Sequence, residues 1–222
     1  MNISKENLAF LSALKKNNTR DWFNPRKEEF KKHEKEAKEF FQSVENRMNE
    51  TDQIEGYKVF RIYRDVRFSA DKTPFKARFA GSFSRATAAL RGGYYLNIEP
   101  GNSIAGGGFY APNPEDLKRI RMEFDMDDSE IREIMSNPKF KTTFGDMQGD
   151  ELKSAPKGFD KESKAIDLIR KKQFYFIRHF SDAEVLSPDF EDKVIDSYLT
   201  IRPYFDYMSS ALTTDLNGES IL

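Results

Sequence analysis

The sequence predicts an α+β domain, with a mainly antiparallel or mixed central sheet and a long N-terminal helix and C-terminal helices packed on it. Three observations predict it. Apolar residues recur at helical spacing between Ser4 and Met48. From about Tyr57 to Tyr110 the period drops to two, in short runs separated by turn residues. Beyond that, Asn113-Pro114, Asn137-Pro138 and Ser187-Pro188 each open a new helical stretch, with a capping residue followed by proline. The expectation is a single domain over 1–222, helical over 1–50, with its sheet core over about 57–110 and a helical remainder over 113–222.

Each element has its own signal. Ser4 caps a first helix to Lys16, whose stripe is Leu8, Leu11 and Leu14 with Phe10 beside it. Asn17-Asn18 turns the chain. Asn24-Pro25 then reads as the cap and first position of a long helix to about Met48, with Phe30, Ala37, Phe41, Val44 and Met48 on one face. His33 falls on the same stripe. Strands are expected at Val59–Tyr63, Arg78–Phe83, Gly93–Glu99 and Ser103–Tyr110. Gly106-Gly107-Gly108 marks a bulge or a close backbone approach in the last of these. Helices follow from Asn113 through Phe124, from Asp128 to Met135 and from Asn137 toward Phe144. A loop at Pro156–Asp160 leads into a capped helix ending near Arg170. The aromatic run Gln173–Phe180 is the last strand. The C-terminal helix starts at Ser187-Pro188-Asp189 and should kink or break at Pro203. The last ten residues fray.

Composition narrows the function. The 222 residues are 38% hydrophobic and 33% charged, with 20 Phe, enough for a sizeable aromatic core. A formal net charge of -1 gives no global attraction to phosphate, so any nucleic-acid contact would be local. With no cysteine there is no disulfide framework, thiolate chemistry, zinc finger or iron–sulfur ligation. Two distant histidines do not make a transition-metal site, so no metal ligands are assigned. No apolar stretch approaches the roughly 18 residues of a membrane span, and no signal peptide is read at the N-terminus. A cytoplasmic protein with no membrane partner is expected. Cofactor and oligomeric state are left open.

One run departs from the average. Between Arg61 and Arg78 there are six basic residues (Arg61, Arg64, Arg67, Lys72, Lys76, Arg78) against two acids (Asp65, Asp71), with Tyr63, Phe68 and Phe75 spaced among them. Guanidinium forks suit phosphate or carboxylate oxygens, and ammonium groups add point charges. The candidate ligand-binding residues are therefore Arg61, Arg64, Asp65, Arg67, Ser69, Asp71, Lys72, Lys76 and Arg78. Gly107 and Gly108 join them as a backbone that a ligand can approach. Three readings compete. The run binds an anionic small molecule, with or without turnover. It meets a nucleic acid or a protein, its aromatics stacking on bases. Or Asp65 and Asp71 pair with the arginines in a buried internal network. Ser69-Ala-Asp-Lys72 matches the bare S-x-x-K pattern of serine acyltransfer enzymes, but Thr73-Pro74 stops the helix which that chemistry needs. His179 reads as a core histidine, and Trp22 as the staple of a helix corner.

Asn17-Asn18-Thr-Arg20-Asp-Trp22-Phe23 and Phe60-Arg61-Ile-Tyr-Arg64-Asp65-Val-Arg67-Phe68-Ser69-Ala-Asp71-Lys72-Thr73-Pro74-Phe75-Lys76 resemble the domain of unknown function 2461 family of conserved hypothetical proteins. Gly93-Tyr-Tyr95-Leu, Gly106-Gly-Gly108-Phe-Tyr-Ala-Pro112 and Pro156-Lys-Gly-Phe-Asp160 follow that family's pattern in the same order. Phe75 is a departure, standing where the pattern leads one to expect tyrosine. The resemblance implies one unit over nearly the whole chain. It implies no activity and no catalytic residues, since the family has none assigned.

Overall fold

The computed structural model describes residues 1–215 and 217–222. Side-chain caps set the N-terminal helices. Ser4 Oγ accepts the Asn7 N–H at 3.1 Å and starts α1 (Lys5–Lys16). Thr19 Oγ1 accepts the Trp22 N–H at 3.3 Å and starts the single turn α2 (Arg20–Phe23). Asn24 is therefore already helical (φ −55°, ψ −44°) and leads through a 3-10 turn, Asn24–Arg26, into α3 (Lys27–Met48). This corrects the expected Asn24 cap, because a cap needs extended backbone and Thr19 has taken that role one turn earlier. The apolar face of α3 buries Phe30, Ala37, Phe40, Phe41, Val44 and Met48, at the spacing of an amphipathic helix.

Five strands, β1 (Ile54–Val59), β2 (Phe79–Arg85), β3 (Gly93–Ile98), β4 (Ser103–Phe109) and β5 (Phe174–Phe180), form one antiparallel sheet in chain order. The first strand ends where sequence reading began it, so Val59–Tyr63 is corrected. Phe60 still gives its N–H to Ala80 O at 2.7 Å. After it the chain pairs with its own return, residues 74–76, instead of with β2.

The remaining helices are α4 (Pro114–Met126), α5 (Ser129–Ser136), α6 (Pro138–Phe144), α7 (Ile166–Ile169), α8 (Asp182–Val185) and α9 (Phe190–Thr213). Asn113 and Asn137 cap α4 and α6 as their sequence signals require. The helix expected up to Arg170 shrinks to α7, which has no side-chain cap. Asp160 instead draws in the Glu162 and Ser163 N–H groups, a local turn that competes with helix. Pro203 does not interrupt α9, since its exposed ring lies on the outer side of an unbroken helix. The expected fraying is also corrected: Asp215 N–H bonds Glu219 O at 2.8 Å and Ile221 N–H bonds Thr213 O at 3.0 Å, closing a turn. Leu216, in that stretch, lies outside the described residues.

The residues cluster into two compact units. The first comprises Met1–Phe83, Tyr95–Ala105 and His179–Asp196. Its core stacks Phe41 on Phe83 at 5.6 Å and Phe40 on Phe190 at 5.3 Å between ring centroids. The second comprises Ser84–Tyr94, Gly106–Arg178 and Ser197–Leu222. There Phe176 meets Phe140 edge-on at 4.8 Å, and the buried Tyr204 hydroxyl donates to Phe174 O at 2.8 Å. Such ring pairs each contribute about 0.5–1.5 kcal/mol beyond the area they bury. Among the described residues no helix is long and apolar enough to cross a membrane.

Phe41 should be the most costly ring of the first core to remove. It is fully buried against Phe83, and its edge occupies the space that a Cβ on Gly81 would need. Phe41→Ala is expected to lower stability by about 3–5 kcal/mol in urea unfolding.

Candidate functional site

The basic run is an excursion between β1 and β2, closed at its stem by backbone bonds. Lys76 N–H bonds Ile62 O at 2.7 Å, Arg64 N–H bonds Pro74 O at 2.9 Å, and Tyr63 pairs with Phe75 in an antiparallel bridge. Ile62 and Phe75 point into the core, which leaves Arg61 and Tyr63 outside, as alternation requires. The Phe75 ring lies 4.1 Å from Phe23. The Asn18 amide grips the Phe75 backbone on both sides: Nδ2 donates to Phe75 O at 2.9 Å and Oδ1 accepts Phe75 N–H at 3.1 Å. The Asn17-Asn18 motif and the Thr-Pro-Phe motif are thus two halves of one clamp. Buried among rings, Phe75 has no need of a hydroxyl.

Beyond the stem the loop is cross-linked by its own charges. The Arg64 guanidinium donates to the Asp71 carboxylate and the Thr73 hydroxyl, and reaches Ser69 Oγ at 3.5 Å. Asp71 Oδ1 also accepts the Thr73 N–H at 2.9 Å. Arg67 forks onto Asp65, Nε to Oδ1 at 3.0 Å and an Nη to Oδ2 at 2.7 Å. Lys72 Nζ donates to the carbonyls of Val66 and Arg67 at 3.0 and 3.4 Å, which removes it as a partner for Ser69. Arg78 faces Glu99 at 3.8 Å, with Lys15 on the other side of that carboxylate at 3.6 Å. Arg61 and Lys76 make no ion pair among the described residues. Arg64, Arg67 and Arg78 are therefore paired, as an internal network requires, but they are not buried: the Arg67 side chain is 76% exposed. Exposed pairs contribute only about 0–1 kcal/mol each, so they shape the loop more than they hold the fold.

These contacts also set the protonation of both acids. Hydrogen bonds from Arg64 and from Thr73 bring the Asp71 carboxyl down to about 2. The Arg67 side chain and N–H lower Asp65, aided by the charge of Arg61. Both are carboxylates at neutral pH.

The tip carries Phe68, 97% exposed, with the Arg67 guanidinium 6.0 Å from its ring centroid. Tyr63 is 48% exposed and packs edge-on against Phe23. Together they give the loop an aromatic as well as a cationic surface.

The other candidates lie elsewhere. Gly107 and Gly108 belong to the second unit, and the 61–78 run to the first. A Cβ on Gly107 would lie 2.5 Å from Gly93 O, and one on Gly108 would lie 2.3 Å from Phe174 O. Gly108 also has φ +141°. Close strand approach accounts for both residues. His179, expected in the core, is exposed at the end of β5, because alternation along that strand buries Phe174, Phe176 and Phe180. His33 is half-buried against Phe10 at 5.0 Å. Trp22 is half-buried, with Arg26 4.4 Å above its ring. Among the described residues no three carboxylate or imidazole side chains converge as a metal ion would require.

A family described as "Conserved hypothetical protein (DUF2461)" matches residues 6–207. The chain belongs to this family. The matched span takes in the Asn18 clamp, the whole 61–78 loop and the glycines of β4. No curated protein and no solved structure matches the chain.

Two outcomes test this geometry. Asn18→Ala removes both bonds to Phe75 and leaves its backbone groups unpaired, so a loss of about 1–3 kcal/mol is expected in chemical unfolding. The Asp71 carboxyl, depressed in the fold relative to an unfolded aspartate near 4, contributes its stability above about pH 4, and that contribution is lost as the pH falls toward 2. A carboxyl resonance titrating near 2 for Asp71, moving back up in Arg64→Ala, is the expected NMR result.

Proposed function

We propose that the 61–78 loop binds a phosphorylated ligand through its uncommitted N–H donors while Phe68 lies against a flat ring of that ligand. The observation that carries this reading is Phe68 itself. It is almost wholly exposed at the tip of a loop whose neighbouring side chains are tied down. A held, exposed aromatic beside a guanidinium is a presented surface for another ring. Among the described residues Arg61 and Lys76 make no ion pair, and the fork of Arg67 onto Asp65 leaves one guanidinium nitrogen's donors free. Phosphate spreads its charge over several oxygens that separate donors can reach, which suits it better than a single carboxylate.

Asp65 and Asp71 act here as positioning residues, each holding one arginine. An acid held near 2 has no proton to donate at neutral pH, so Asp71 is not the general acid of any turnover. A cysteine-free chain gains nothing from an oxidising compartment, and the cytoplasm is its proposed setting.

The openness of Phe68 favours a second reading, single-stranded nucleic acid, because an exposed ring takes a base from a strand as readily as from a free nucleotide. The net charge of -1 confines such binding to this loop. Fluorescence anisotropy with a labelled mononucleotide and a labelled oligonucleotide, at two salt concentrations, separates the two. Phe68→Ala and Arg67→Ala should each weaken binding about tenfold with the fold intact, since both side chains are exposed. Undiminished binding in both folded variants would remove the loop from the site. Binding of the oligonucleotide alone, with a steep salt dependence, would move the function to the second reading.

A further inference from the structure

The second unit holds a groove that the loop does not explain. Two adjoining hollows of about 480 and 440 Å³ share Glu130, Ile134 and Pro203, and run along the side of α9 from Leu199 to Ala211. The twelve residue-to-residue rises between these two residues make that path roughly 18 Å long. Its wall is apolar where Ile134, Leu199, Pro203 and Ala211 line it.

Among the described lining residues four carboxylates, Glu123, Glu130, Glu133 and Asp206, face the groove against one cation, Lys139. Glu130 and Glu133 sit one turn apart on α5 and make no ion pair among the described residues. Pro203 has no N–H to give the Leu199 carbonyl, its partner in a regular helix, and both residues line the same hollow. The strongest sign is Tyr207. Its residue is only 6% exposed, it lines the second hollow, and its hydroxyl has no hydrogen-bond partner. Burial and the carboxylates of Glu123, Glu130 and Asp127 keep its proton in place. A buried unpartnered hydroxyl is rare in a settled core and is costly to keep. Three cations stand nearby, and each is already engaged: Arg119 with Glu123, Arg85 with Asp206, and Lys139 with a partner of its own.

We propose that this groove docks a basic peptide segment in which arginine or lysine alternates with apolar residues. The cationic side chains would meet Glu130 and Glu133 and supply donors to the Leu199 carbonyl, and a backbone carbonyl of the segment would accept from the Tyr207 hydroxyl. The apolar ones would cover Ile134, Leu199 and Pro203. An extended segment of about six residues spans the groove, with side chains alternating between its acidic rim and its apolar wall. Charge complementarity selects this occupant, because Glu130 and Glu133 carry no ion pair among the described residues and call for a cationic partner.

The test uses a fluorescein-labelled Leu-Arg repeat peptide and its Leu-Glu counterpart, measured by anisotropy on the full chain. Binding of the Leu-Arg peptide alone is expected, weakened at least about tenfold by E130K/E133K. A control reversal on α3, E28K/E29K, should leave it unchanged. Tyr207→Phe gives a signature that a purely structural role would not: the melting temperature rises, because an unpartnered buried hydroxyl is gone, while the peptide binds less tightly. Equal loss in both charge reversals would reduce the effect to general attraction and overturn the proposal. So would full affinity in E130K/E133K, or displacement by spermine at matched charge with the same affinity, which would assign the groove to small polyamines.

Discussion

The Phe75 ring rests on Phe23 at 4.1 Å while the Asn18 amide holds the Phe75 backbone on both sides. That one contact fixes the stem of the charged excursion to the helical corner. Without it, eighteen residues carrying six cations would have no reason to adopt one shape, since like charges repel and the chain entropy of a long loop opposes order. With the stem fixed, the local acids can complete the job. Each arginine deep in the loop finds a carboxylate only a few residues away, Arg64 with Asp71 and Arg67 with Asp65, and short loop closures are cheap. The order of causes matters: packing places the stem, and electrostatics then shapes the tip.

Much of the architecture was legible because it rests on local chemistry. Asn113 and Asn137 cap helices as their Asn-Pro signals require, and the period-two runs at β2, β3 and β4 and the aromatic run at β5 are strands. Errors came where a tertiary partner outbid the local signal. Asn24-Pro25 looks like a helix start, yet Thr19 begins the helical backbone earlier. Val59–Tyr63 alternates well, yet its partner is its own return strand and not the sheet. For the site, the cations and their acids could be named from sequence, but not which pairs form or that they stay exposed. The groove along α9 left almost no trace in the sequence. Its residues come from α4, α5, α6 and α9, and the one usable hint was Pro203, read only as a helix breaker.

The loop and the groove are chemical opposites. Around the loop the uncommitted groups are donors, on Arg61, Arg67 and Lys76. Around the groove, among the described residues, Glu130 and Glu133 carry no ion pair and the Tyr207 hydroxyl has no partner. A net charge of -1 conceals both features, because 36 basic and 37 acidic residues cancel in the sum whatever the local balance. Average composition therefore argues against phosphate affinity for the whole surface and says nothing against it at one loop.

Both features also run against what stability alone would select. A phenylalanine 97% exposed leaves its apolar area in water, and a buried tyrosine hydroxyl without a partner carries a desolvation cost that phenylalanine would not. Tyr204, wholly buried, has its hydroxyl on Phe174 O, and Phe75 is buried without a hydroxyl. The contrast between Tyr204 and Tyr207, on the same helix less than one turn apart, is the informative one. A sequence that satisfies one hydroxyl and leaves its neighbour open keeps the second hydroxyl for something outside the fold.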